Sequence, residues 1–402
     1  MKLKKEYIYL LVGFGISNLG NWIYLIALNL SVWHLTHSPA AVAGIYIIGP
    51  VARILSSFFA GSIIDRHNKR RIVIWSDIIR GIVVCMMPLF SSLWILYMLI
   101  FIANMASSFF RPSSTYLITK HVDSENRQQF NAMNSVLSSG SFMIGPALSG
   151  VIIALSNTSV AIWFNGLTFF LCAWLMWLLP NIEEKNESTK SIITLSIIRS
   201  DFQYVWQFIK SKTVLLTFFI VYTVALMIAY SLDSQEMTFL KDTLHVSDSL
   251  YGIIVGVTGI GALLGGVAAT TLAKKFSVIT YISAGFLLTM FCYFMFYLSN
   301  QLVLAVVAFV ALGFFMAFSN TGYATFYQES IPTSLMGRFG SILLLVESVV
   351  QITFTFVLGV MAEWFTVQLA TTIFAAVGLI LALYVSIHLH QHKTQLQLEE
   401  LQ

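Results

Sequence analysis

Apolar runs of about twenty residues, separated by short polar breaks, fill most of the chain. A helix rises 1.5 Å per residue, so each run matches the roughly 30 Å of bilayer hydrocarbon. Windows of that length predict twelve spanning helices, near 7–33, 39–64, 72–90, 93–119, 130–155, 159–179, 214–239, 250–273, 278–298, 301–327, 340–362 and 367–389. Several neighbours are joined by only two to five residues, which forces them antiparallel. Membrane strands are a poor alternative, because the runs are too long and lack polar/apolar alternation. A longer polar interval divides the spans six and six. The pattern therefore predicts an all-α integral membrane protein: a six-helix bundle over 1–180, a cytoplasmic linker over 181–212, a second six-helix bundle over 213–390 and a tail over 391–402. Within the linker, 192–209 is amphipathic and reads either as a helix on the inner membrane surface or as a solvated connection.

Composition narrows the function classes. Hydrophobic residues are 57% of the chain and charged ones 10%, against about 45–50% and 25% in soluble domains. The net charge of +4 forms no basic stripe, so nucleic acid is not an expected partner; the lipid bilayer is. Cys85, Cys172 and Cys292 lie far apart in apolar runs, which predicts neither disulfides nor a metal site. The basic N-terminus is followed by too long an apolar run for a signal peptide, and reads as a first span that stays. With that terminus inside, eighteen of the 22 Lys and Arg face the same side and only Lys241 lies in an outer loop. The positive-inside rule then places both termini in the cytoplasm of a cell-membrane protein. His34 and His37, by the first outer loop, read as solvated. No nucleotide motif, metal constellation or nucleophile set argues for an enzyme. "GIIVGVTGIGALLGG" in span eight follows no strand and lacks a Gly-Lys-Ser/Thr ending, so its small residues read as close helix packing.

Two internal patterns point to a transporter. "ENRQQFNAMNSVLSSGSFMIGPALSG" (125–150) aligns with "SLMGRFGSILLLVESVVQITFTFVLG" (334–359), placing Phe130 over Phe339 and Gly150 over Gly359. Six-span halves related by an internal repeat recur in secondary transporters, with the substrate site between them. The second pattern is "GSIIDRHNKRR" (61–71), almost all ionisable after Ile64, at the turn between spans two and three.

This stretch resembles the signature of the major facilitator superfamily, with Gly61, Asp65, Arg66, Arg70 and Arg71 matching by position. Asn68 replaces the usual glycine, and Asn also tolerates left-handed backbone. "GSFMIGPALSG" in span five resembles the antiporter signature of drug exporters through Gly140, Gly145, Pro146 and Gly150, with Ser-Gly where the family has Gly-Gly. The running text is most similar to macrolide-efflux-type and siderophore exporters. The resemblance implies alternating access, proton-coupled efflux of a small amphipathic organic compound, a monomer, and no cofactor beyond the proton gradient. A lysolipid flippase or a nutrient importer of the same fold is the alternative, and a non-transporting receptor a remote one. Asn21 stands where relatives often carry an acid. Asp65 is expected to pair with the nearby guanidinium groups, or to cap a helix terminus. Lys69, Arg70 and Arg71 read either as part of that network or as topological anchors.

Seven ionisable residues fall within spans: Arg53, Asp77, Arg80, Arg111, Asp233, Glu236 and Glu347. Each costs about 2.5–3.5 kcal/mol at the bilayer centre, so each needs a partner, water or neutrality. Asp77 lies about 8 Å and Arg111 about 12 Å from the same face, which predicts an ion pair between them, with Arg80 or Arg53 nearby, as a gating cluster. Asp233 and Glu236 are expected on one helix face near the outer end of span seven. Buried that close, both cannot stay ionised, as a proton-coupling group requires; a helix end wetted by the loop is the other reading. Glu347 reads as a third coupling candidate or as a partner for a helix terminus. Asn18, Asn21 and Tyr24 fall at helical spacing and, with Arg53, are candidates for the substrate cavity, though the asparagines can equally bond a neighbouring helix. The 32 Phe, 16 Tyr, 9 Trp and 15 Met suit an adaptable apolar cavity.

Overall fold

Among the described residues of the computed structural model, twelve helices are long and apolar enough to cross a bilayer. The structure describes residues 4–57, 60–181, 203, 205–210, 212–273 and 275–393, apart from the side chains of 61, 62, 65, 128, 132, 333 and 334. No described residue lies in a strand. Most of the expected linker and tail, including 192–202, falls outside the described residues.

Spans one to six are Lys5–Thr36, Pro39–Ser57, Lys69–Met86, Leu93–His121, Ser124–Leu155 and Thr158–Trp177. A short helix, Ala60–Arg66, follows span two, and a 3-10 turn, Met87–Leu89, closes span three. Spans seven to twelve are Thr213–Asp233, Asp248–Leu272, Val278–Leu298, Leu302–Ser330, Thr333–Trp364 and Val367–Gln391. Side-chain caps mark the starts of spans three, six, nine and twelve. Asn68 accepts from the Arg71 amide, Asn157 from Val160, Ser277 from Thr280 and Thr366 from Leu369, each cap contributing about 1 kcal/mol. Asn68, with φ −62° and ψ 115°, is extended and serves as a cap, so its tolerance of left-handed backbone is not used here.

The predicted continuity of span seven to residue 239 is also corrected. The helix stops at Asp233, and a separate short helix, Glu236–Asp242, follows. Ser231 Oγ donates to the Met227 carbonyl and Ser234 Oγ to that of Ser231, and Gln235 leaves helical geometry. Serine hydroxyls that bond the preceding turn compete with the backbone ladder and favour an ending there.

Contacts divide the chain into two units: Met1–Ala41, Ile48–Ile193 and Ser247–Gly256 in the first, and Val42–Ile47, Thr194–Val246 and Val257–Gln402 in the second. In the first unit, Tyr7, Leu10, Phe130, Cys172 and Met176 share a buried core. Tyr7 meets Phe130 edge-on at 6.3 Å, while its hydroxyl donates to Asp123 Oδ2 at 2.7 Å. In the second unit, the repeat-related Phe339 packs on Phe219 of span seven at 4.9 Å. The aligned phenylalanines thus anchor span one in one unit and span seven in the other. Residues 205–210 are helical. Val205 and Ile209 are buried and Trp206 is exposed, so the described end of the amphipathic segment is a helix with an apolar face.

The start of span one is tied by Lys4 Nζ to Asp123 Oδ2 at 2.6 Å. Hydrogen bonds from Lys4 and Tyr7 hold the exposed Asp123 carboxyl below its usual range, and the bond to Asp123 holds Lys4 above its own. The depressed carboxyl contributes above about pH 4 and is lost as pH falls through its folded value; the raised ammonium contributes below about pH 10 and is lost as pH rises through its own. The difference in apparent Tm between the wild type and Lys4→Gln is therefore expected to be the same at pH 5 and pH 9, and to shrink in 1 M salt. Fluorescence-detected melts in detergent measure it.

Candidate functional site

In the first unit the basic turn splits its charges between two jobs. Arg70 Nε donates to the Met176 carbonyl at 3.0 Å and its Nη2 to that of Trp177, at the C-terminal end of span six. Helix C-termini present unpaired carbonyls and partial negative charge. Arg70 therefore clamps the start of span three onto the end of span six. Asn68 Nδ2 adds a bond to Asn181 Oδ1 at 2.8 Å, and the Lys69 ammonium lies 5.3 Å over the Tyr116 ring. Arg66 and Arg71 are exposed. The surroundings of Gly61 and the side chain of Asp65 are not among those described, so the expected Asp65 pairing is not either. Arg70→Gln is expected to lower stability by about 1–2 kcal/mol, read as a lower apparent Tm, with Arg70→Lys in between.

Deeper in span three, Asp77 and Arg80 are 0% and 4% exposed and form an ion pair one helical turn apart. The Arg80 guanidinium is sandwiched between Phe110 at 4.2 Å and Phe169 at 4.3 Å, and the Cys172 thiol lies against Asp77. Asp77 Oδ2 and Arg80 Nε have no hydrogen-bond partner. The predicted Asp77–Arg111 pair does not form: Arg111 is exposed on span four and pairs with no carboxylate among the described residues. Depth along two helices matched these residues, but Arg111 is exposed while Asp77 is fully buried.

Along span five, the motif residues differ in their surroundings. A Cβ at Gly140 would meet nothing within 4 Å, whereas one at Gly145 would stand 2.6 Å from Trp22 Cβ on span one. One at Gly150 would stand 2.5 Å from the Ser249 carbonyl oxygen. The Pro146 carbonyl in turn faces Gly252, where an added Cβ would lie 2.6 Å from it. Gly145 and Gly150 therefore mark close backbone approaches to span one and to the start of span eight. Gly261 and Gly265 lie against span ten at Val310 and Phe314, the packing role expected for the glycines of span eight. Asn18 Nδ2 donates to Ser138 Oγ of span five at 3.0 Å, so its amide bonds a neighbouring helix. Tyr24 donates to Met87 Sδ at 3.4 Å, Asn21 is half-buried and Arg53 is exposed. His34, read as solvated, is partly exposed and its Nε2 lies 3.0 Å from Asp248 Oδ2.

In the second unit, the break after span seven places Asp233 and Glu236 on the two sides of a turn rather than on one helix face. Tyr293 of span nine donates to Asp233 Oδ1 at 2.5 Å, and Tyr297 to the Leu232 carbonyl at 2.5 Å. Glu236 Oε1 is buried with no hydrogen-bond partner, and neither carboxyl pairs with Lys or Arg among the described residues. Tyr293 and Tyr297 escaped the sequence reading, although two hydroxyls at i, i+4 near the C-terminal end of an apolar span were the available signal. Glu347 is half-buried, within electrostatic reach of Tyr222, Tyr323 and Tyr327; Tyr222 and Tyr323 stack at 4.7 Å.

A family model described as Major Facilitator Superfamily matches residues 10–355 and 237–400. The "Uncharacterized MFS-type transporter YfiS" of Bacillus subtilis (strain 168) is 27% identical, over 91% of this chain and 89% of its own. The "Putative bacilysin exporter BacE" of the same organism is 27% identical over 43% of this chain and 44% of its own. Among solved structures, the nucleoside transporter NupG aligns with TM-score 0.75 at 14% identity, covering 96% of this chain and 99% of that one. A bacterial homologue of the iron transporter ferroportin, in an inward-facing state, aligns with TM-score 0.74 at 14% identity, covering 97% and 99%. At these identities the structural likeness shows the fold alone.

Proposed function

The chain belongs to the major facilitator superfamily, as a multi-pass membrane transporter, and we propose that it exports a small amphipathic organic compound from the cell in exchange for protons. The observation that carries the coupling is the carboxyl pair at the end of span seven: Asp233 held by the Tyr293 hydroxyl, with the Glu236 Oε1 buried nearby and no Lys or Arg on either among the described residues. A buried carboxyl without a cation is favoured in its protonated form. Its proton is given up when the site opens to water or when a charged substrate approaches. Tyr293 can bond Asp233 in both states, donating to the carboxylate or accepting from the acid, so the group titrates without losing its position.

Export is supported by the span-five pattern and by the partial likeness to a protein named as a bacilysin exporter. The charge bias supports cytoplasmic termini in the cell membrane. Glu347 is a second coupling group in this reading, and Asn21, Tyr24 and Arg53 belong to the substrate path. The transporter acts as a monomer, with the proton gradient as its only energy source and no cofactor.

Inverted membrane vesicles energised to an acid interior test this. They are expected to accumulate a compound from a panel of bacilysin, macrolides and iron-free siderophores, and a proton uncoupler is expected to stop it. Asp233→Asn with Glu236→Gln is expected to abolish gradient-driven uptake while leaving passive counterflow. Gradient-driven uptake surviving in that double variant would remove the coupling assignment. Transport indifferent to uncouplers would replace antiport with facilitated movement.

A further inference from the structure

A cleft of about 710 Å³ opens beside the basic turn, between the Ala60–Arg66 helix, span three and span four. Arg66 and Arg71 stand at its mouth, and Ile72, Trp75, Ile79 and Phe109 are among its walls. Arg71, Trp75 and Ile79 follow at i, i+4 and i+8, so the cleft runs down one face of span three for about 12 Å. Its two ends differ in chemistry: guanidinium groups with His67 and Asn68 at the membrane–water boundary, then a mostly apolar wall towards the hydrocarbon, interrupted by the Ser76 hydroxyl. Arg70 is committed to the carbonyls of span six and Lys69 reaches Tyr116. Arg66 and Arg71 are exposed and meet no carboxylate among the described residues. Trp75 is 60% exposed, and an indole at this level suits the headgroup boundary.

We propose that this cleft is a binding site for one anionic phospholipid of the inner leaflet, its phosphate on Arg66 and Arg71 and an acyl chain along Trp75 and Ile79. The site stands apart from the export reading and rests only on the inward orientation of the basic turn. The shape argues for a lipid over a free anion, because an inorganic phosphate would use the mouth and leave the apolar depth to other occupants. The charge argues for an acidic headgroup over a zwitterionic one. A basic residue near an anionic membrane surface contributes about 1 kcal/mol, or roughly fivefold, so two give a preference on the order of twenty- to thirtyfold for phosphatidylglycerol over phosphatidylcholine.

Brominated lipids test this through Trp75. The intact protein in mixed micelles is titrated with acyl-brominated phosphatidylglycerol, phosphatidylethanolamine or phosphatidylcholine, and the quenching lost in Trp75→Phe isolates the signal from this tryptophan. Phosphatidylglycerol is expected to reach half-quenching at a mole fraction lower by at least tenfold. Arg66→Gln with Arg71→Gln, or 1 M salt on the wild type, is expected to erase that preference. The salt arm and the lipid comparison use unaltered protein, so misfolding of the variant leaves the test intact. Equal quenching by all three lipids overturns the proposal, as does a preference for phosphatidylethanolamine. Displacement of phosphatidylglycerol by millimolar inorganic phosphate would show an anion site in place of a lipid site, and overturns it too.

Discussion

Replacing Arg80 with methionine while Asp77 stays in place is expected to be among the most damaging single changes in the first unit. The carboxylate would be left fully buried beside an apolar chain, and breaking a buried pair from one side costs about 3–5 kcal/mol. The loss of the guanidinium between Phe110 and Phe169 adds to it, since a desolvated cation–π contact contributes about 2 kcal/mol. Asp77→Leu combined with Arg80→Met removes both charges and is expected to recover most of the apparent Tm, because well-packed apolar replacements of buried pairs are often neutral. The double variant also separates structure from gating. If the pair only fills the bundle, transport returns with stability; if it switches during the cycle, the double variant is stable and inactive. A double variant no more stable than Arg80→Met alone would show that the two side chains are not energetically coupled.

Much of this architecture is legible in the sequence because a spanning helix carries a signal some twenty residues long. The ends of all twelve spans lie within seven residues of the predicted windows, and most within three. Span seven was misplaced because no Gly or Pro marks its end; the cue is the weaker "SLDSQE", whose serines turn their hydroxyls back on the helix. The charged sites show where linear reading stops. Asp77 and Arg80 at i, i+3 are neighbours by helical geometry alone, so their pairing was readable. Depth misled for Arg111, because two residues at one level meet only if both face the same way. The aromatic rings around Arg80 and the tyrosines on Asp233 come from other spans, and contacts between distant helices have no periodic signature. The signature match named the basic turn but not the division of labour within it: Arg70 reaching span six, Arg66 and Arg71 facing the cleft.

Two glycines of the span-five motif should respond in opposite ways to the same added methyl group. Gly150→Ala places a Cβ 2.5 Å from the Ser249 carbonyl oxygen and 3.3 Å from Gly252 Cα. Both are backbone atoms, which cannot rotate away as a side-chain tip would. The start of span eight must then shift from span five, at a cost of about 1–3 kcal/mol for overpacking a tight interface. Gly252→Ala meets the Pro146 oxygen and Gly150 Cα at 2.6 and 2.7 Å, and is expected to do the same from the other side. Gly140→Ala adds its methyl to open space. Within a helix, alanine is favoured over glycine by up to about 1 kcal/mol, so that variant should melt at or above the wild-type temperature. Transport is expected to follow the same order, intact in Gly140→Ala and impaired in the other two, because these glycines set how closely two backbones can slide. Equal melting temperatures for Gly140→Ala and Gly150→Ala would mean that spans five and eight do not approach as closely as described, and that the motif's glycines are needed for something other than close packing.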